Sequence, residues 1–186
     1  MTEHAAARVD ALATITGYLS ENDIVFEQPS PDCIVATLPG EHRLKTTVSL
    51  VVGEHSLSIN AFIIRHPEEN QTAFFRWLLE RNLHIFGIAY ALDHLGDVYL
   101  VGKVPLNTLT GDRVDQLLGS VLENSDGAFD HLLELGFESA IRREWQWRLS
   151  RGESTANLVH FRHLAEPAGS THQEQQGPGH DNNAAR

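Results

Sequence analysis

A single cysteine, Cys33, among 186 residues rules out an intrachain disulfide and any metal centre built from several thiolates. Basic residues are outnumbered. Fourteen Lys plus Arg against 25 Asp plus Glu leave a net charge of −11 at pH 7, the wrong sign for a surface that must neutralise phosphates, so nucleic acid is a disfavoured partner. The N-terminus has no basic stretch leading into an apolar one, and nothing approaches the ~20 apolar residues of a membrane span. A cytoplasmic protein without a membrane partner is therefore expected. Neither a GxxxxGK[ST] nor a GxGxxG pattern occurs, so Gly96 and Gly102 read as turn and strand glycines rather than a phosphate cradle. The last stretch, from Ala165 onward, has no Ile, Leu, Val, Met or aromatic residue. It cannot bury a core, and residues 165–186 are expected to be a disordered polar tail.

What is present suffices for one folded unit: 41% of the residues are hydrophobic and 21% charged. Residues 6–22 repeat Val9, Leu12, Ile15 and Leu19 at helical spacing. Two short extended segments follow at 24–27 and 33–38, separated by Pro29-Ser30-Pro31. In 43–52, Leu44, Thr46, Val48, Leu50 and Val52 alternate with their neighbours, and Leu57, Ile59, Ala61 and Ile63 alternate on the return, which predicts a hairpin about Gly53-Glu54-His55. HPEEN at 66–70 breaks the strand, with Asn70 placed to cap a helix running to about Asn82. On that helix Phe74, Trp77, Leu78 and Arg81 share a face, and Phe75 and Leu79 widen the stripe beyond one thin contact. The excess either fills a two-layer core or spills into a subunit interface. A second hairpin, 85–92 and 98–104, turns on 93–97 with Gly96 available for positive φ. A long helical stripe from Thr110 follows, with Gly127 as a kink position. Gly136-Phe137 reads as a helix end before a separate short helix over 138–150.

Counting the early extended material as one strand, the order is α-β-β-β-α-β-β-α plus an extra C-terminal helix. This is an α+β antiparallel sheet with helices packed on it. NAFIIRHPEEN at 60–70, FRWLLERN at 75–82, ALDHLGDVYLVGKVP at 91–105 and the stretch 114–153 resemble the YbjN family, the last of them its actinobacterial branch. That family's members are described as sensory-transduction regulators and are similar in fold to class I type III secretion chaperones. The resemblance implies a chaperone-like domain over residues 1–152, an extension over 153–164, and a homodimer that binds a protein client. It brings no cofactor and no established chemistry.

Four constellations carry candidate chemistry. Arg142-Arg143-Glu144-Trp145-Gln146-Trp147-Arg148 mixes indoles and guanidiniums, the side chains most often found at binding hot spots. Trp145 and Trp147 stand about 200° apart on a helix, so both cannot bury against one narrow surface. Trp145, Trp147, Arg148 and Arg142 are the candidate partner-contact residues. The alternative is that both indoles cover a sheet edge while the arginines pair with acids. His160 and His163, with Glu166, outline a metal site of too few ligands, and scattered surface histidines are the preferred reading. His66 with Glu68, Glu69 or Asp97 outlines a general base for the competing function, a small-molecule sensor or hydrolase-like enzyme with a pocket between sheet and long helix. Cys33, with no base nearby in sequence, reads as a buried structural thiol. The preferred reading is a non-enzymatic, chaperone-like protein-binding regulator.

Overall fold

The computed structural model describes residues 3–165, so the expected tail beyond Ala165, Glu166 included, lies outside the described residues. The chain opens with α1 (Glu3–Glu21), continues through β1 (Val25–Ser30), β2 (Cys33–Pro39), β3 (Lys45–Val52) and β4 (Ser56–Ile64), and turns into α2 (Gln71–Arg81). There follow β5 (Ala89–Leu92), β6 (Val98–Pro105), α3 (Gly111–Asp126), α4 (Phe129–Arg151) and a 3-10 segment, Ala156–Leu164. The early extended material is thus two strands, and four rather than three precede α2. Pro29 ends up beside a register irregularity of β1 between Glu27 and Ser30, where a missing ladder donor costs little.

All six strands form one antiparallel sheet in the order β1-β2-β3-β4-β6-β5. The period-two pattern decides its inner face: Ile34, Ala36, Val48, Leu50, Leu57, Ile59 and Leu100 are buried beneath Ile15, Leu19, Leu117 and Val121 of α1 and α3. Leu44 departs from the expectation. It precedes β3, outside the ladder, and is 88% exposed. Cys33 also departs, since its thiol lies half-exposed, 3.6 Å from the Ser49 hydroxyl, rather than buried. Tyr18 ties α1 to α3 by donating to Asp115 at 2.5 Å. Burial and that carboxylate push its phenol up to about 12.

The expected long helix breaks at Gly127-Ala128 into α3 and α4. The expected helix end at Gly136-Phe137 is present as a kink inside α4: Phe137 leaves helical geometry (φ −144°, ψ 19°), and a second helical stretch runs from there to Arg151. The HPEEN loop makes that kink possible. Glu68 and Glu69 donate their N–H groups to the Gly136 carbonyl (3.0 and 3.2 Å), Asn70 donates its amide to the Leu135 carbonyl (3.2 Å), and Glu69 accepts from both the N–H and hydroxyl of Ser139 (2.6 and 2.8 Å). The backbone groups freed by the kink are therefore paired from outside the helix. Asn70 is spent there at φ +52°, and no side-chain bond from it caps α2. Before the kink α4 buries Leu132 in the main core; beyond it Ile141 and Trp145 meet Leu158 and Phe161 in a second, smaller cluster.

Candidate protein-contact surface

The sheet's outer strands are β1 and β5, and β5 is already covered at its middle. Tyr90 donates its N–H to the Asn82 side-chain oxygen (2.8 Å) and accepts from the Asn82 amide nitrogen (3.2 Å). One side chain thus stands in for a neighbouring strand, a guard against edge pairing. Arg81 reaches the Asn124 side chain (3.0 Å) and Tyr90 donates its hydroxyl to the Asn124 carbonyl (2.5 Å), which locks the end of α2 and β5 onto α3.

Beside this lock, Phe75, Leu78, Leu79, Tyr90, Ala91 and Leu92 line an apolar cleft of about 90 Å³ between α2 and β5. Phe74 and Leu78 fill the core, whereas Leu79 is 68% and Leu92 48% exposed. Leu83, Phe86 and Leu95, in the connections that flank β5, are exposed as well. One part of the wide α2 stripe therefore packs inward, and the remainder is left on the surface. Leu92 and Leu95 gave no such signal in sequence, because a short strand and a loop carry no period that separates an inward from an outward residue.

The Trp-Arg segment divides between packing and surface. Trp145 is 9% exposed, within the cluster of Ile141, Leu158 and Phe161; Trp147 is 44% exposed on the opposite side, with the Arg151 guanidinium 5.1 Å from its ring centroid. Arg142 pairs with Glu138 and donates to the Leu164 carbonyl. Arg148 pairs with Glu144 at 2.6 Å and donates to the Ser154 carbonyl at 3.0 Å. Both guanidiniums therefore serve to hold the extension and the end of α4 in place, and Trp147 is left as the exposed indole.

The candidate catalytic groups do not converge. Asp97 spends its carboxylate on the His66 backbone N–H (2.8 Å), the His66 ring lies over Gly96 with Nε2 against Gln71 (2.9 Å), and Glu69 is committed to Ser139. His160 and His163 face different carboxylates, Asp130 (3.6 Å) and Glu134 (3.0 Å), one helical turn apart on α4. Asp126 is a functional-looking acid with no sequence signal. Although burial pushes its pKa up, the N–H groups of Arg43, Glu41 and His42 (2.7, 3.0 and 3.0 Å) outweigh this and hold it below the usual carboxylate range. Its role is to fix the β2–β3 loop. Among the described residues no helix is long and apolar enough to cross a membrane.

Comparison with known proteins agrees with this architecture. The YbjN family model, described as "Putative bacterial sensory transduction regulator", matches residues 11–134. An uncharacterized protein of Mycobacterium tuberculosis is 53% identical over 135 residues, covering 73% of this chain and 74% of that protein. One of Mycobacterium leprae is 49% identical over 136 residues, with the same coverage. Among solved structures, the ExsC-ExsE complex matches with a TM-score of 0.51 at 16% identity, over 67% of this chain and 95% of the other. The heterodimeric ExoU-SpcU complex from the type III secretion system of Pseudomonas aeruginosa matches at 0.50 and 14%, over 65% and 96%. The fold is shared with chains of these two protein complexes.

Proposed function

This chain belongs to the YbjN family, and from that premise we propose that it is a non-enzymatic, cytoplasmic, chaperone-like regulator that acts as a homodimer and holds an apolar segment of a client protein. The observation that carries this reading is the cleft between α2 and β5, where Leu79 and Leu92 remain exposed beside a wall formed by Phe75, Leu78 and Tyr90. Its size suits one apolar anchor side chain rather than a whole metabolite, and a buried anchor ringed by weaker contacts is how most binding energy is concentrated. Because Asn82 covers Tyr90, affinity arises from side-chain burial in the groove rather than from an added strand. The chain's −11 charge favours clients with basic flanks. Trp147 provides a second contact point on α4, positioned by Trp145, Arg142 and Arg148.

The hydrolase or sensor reading would need His66, Glu69 and Asp97 gathered round a pocket, and each is instead engaged in holding a turn or the α4 kink. The experiment is saturable, salt-resistant retention of a partner from host extract by the purified protein, repeated with Leu79→Glu. Loss of one anchor is expected to weaken retention at least about tenfold. The thermal midpoint should stay within about a degree or two, since surface substitutions usually change stability by ~0.5 kcal/mol or less. Equal retention by the variant would remove the cleft from the account.

A further inference from the structure

The geometry points to a divalent transition-metal site formed by His42, Asp130 and His160, whose ion fastens the C-terminal extension to the β2–β3 loop and α4. The three residues come from separate segments: the loop before β3, the first turn of α4, and the 3-10 segment. The His42 Nδ1 lies 2.8 Å and the His160 Nδ1 3.6 Å from the same oxygen, Oδ2 of Asp130. All three donor atoms fall within 4.8 Å of one another, and the two rings meet edge-on at 5.6 Å between centroids.

Two ligand atoms bound ~2.1 Å from one tetrahedral ion stand about 3.4 Å apart. The observed 2.8 and 3.6 Å straddle that value, so small side-chain rotations would complete the first three positions. At 3.6 Å, His160 is too far from Asp130 for a hydrogen bond, yet its ring nitrogen lies beside the same oxygen that His42 already engages. Two imidazoles crowding one carboxylate oxygen make sense when a cation belongs between them. The set, two nitrogens and one oxygen, suits zinc and its neighbours and not the all-oxygen shells of calcium or magnesium. Exposure of both histidines leaves room for a water ligand.

His42 and His160 are also held in place by their own segments, which limits the ordering cost of binding. Asp126 clamps residues 41–43 through three N–H groups, and the Arg43 guanidinium donates to the carbonyls of Phe62 and Ile63 (3.0 and 2.9 Å). Leu158 and Phe161, on either side of His160, are buried against Ile141 and Trp145. Glu41 and Asp126 add negative charge beside the site. A second trio, His4, Glu54 and His55, is wholly exposed. It serves as the internal control.

The test is titration of tag-free, full-length protein with Co2+ and Zn2+, read by cobalt absorption and calorimetry, with amide exchange over residues 156–164 as a second readout. One ion per chain is expected, with the strong visible bands of a four-coordinate cobalt site. Affinity should fall at least about tenfold in each of His42→Ala, Asp130→Asn and His160→Ala and be unchanged in His163→Ala and His55→Ala. Zn2+ should slow exchange of 156–164 in the wild type and not in His160→Ala. The four histidines are exposed and Asp130 is partly so, and unchanged circular dichroism confirms folding of each variant. Binding that survives His42→Ala and His160→Ala, or that disappears with His55→Ala, would mean adventitious surface coordination and overturn the proposal.

Discussion

Phe74→Ala is expected to lower the stability of the main core by about 3–5 kcal/mol, read as a shift in denaturant midpoint. Phe74 is fully buried, and its ring is what Gly136 of α4 packs against: a Cβ added at Gly136 would stand 3.0 Å from that ring and 2.9 Å from the Cβ of Pro67. The companion substitution, Gly136→Ala, has a sign that decides the argument. An unconstrained helical glycine gains up to ~1 kcal/mol on becoming alanine, whereas overpacking costs about 1–3 kcal/mol. Destabilisation is therefore expected, relieved in part when Phe74 is shortened to leucine, with a coupling of about 0.5 kcal/mol or more in the double-mutant cycle. If Gly136→Ala stabilises the protein, the HPEEN loop does not clamp the kink as described.

Trp145→Ala is the second large effect, and it should be local. The indole joins Ile141, Leu158 and Phe161 in a cluster separate from the main core. Its removal is expected to cost about 3 kcal/mol, the lower end for a buried tryptophan because the site is small and can collapse. The loss should appear as fast amide exchange and proteolysis over residues 153–165, with much less change in the rest of the chain. Trp147→Ala should leave that segment protected and change stability by ~0.5 kcal/mol or less. Equal behaviour of the two variants would contradict the division of the indoles between packing and surface.

The fold was legible where side-chain period matches element geometry. Val48, Leu50, Leu57, Ile59, Ala61 and Ile63 alternate because one sheet face is covered, and they are buried as the alternation requires. The same logic placed Trp145 and Trp147 on different sides of a helix. Legibility failed where long-range contacts overrule local preference. Asn70 has the chemistry of a helix cap, but the kink in α4 offers it an otherwise unpaired carbonyl 65 residues away, and it goes there. Leu44 fits the alternation, yet the Asp126 clamp holds residues 41–43 in a loop that delays β3 until Lys45. His42 and Asp130 are 88 residues apart, so no spacing rule could join them, and the local pair His160-His163 drew attention to a site that the helix divides between two carboxylates.

The apolar cleft between α2 and β5 was half legible. Phe75 and Leu79 made the α2 stripe too wide for one partner, which is a sequence-level signal of exposure; which of them faces solvent depended on where β5 lies. Asn82 follows α2 as an ordinary C-terminal polar residue, and its role as a substitute strand for Tyr90 exists only in three dimensions.

The central claim, that an apolar segment of another protein docks between α2 and β5, is tested most directly by a photo-crosslinking residue at Leu92 in the full-length chain inside host cells. A second probe at Thr47, on the outward side of β3, provides the comparison. The expected result is a discrete adduct with one other polypeptide from Leu92, absent from Thr47 and suppressed by Leu79→Glu. Adducts equal at both positions, or from Leu92 only to a second copy of this chain, would contradict client binding at the cleft.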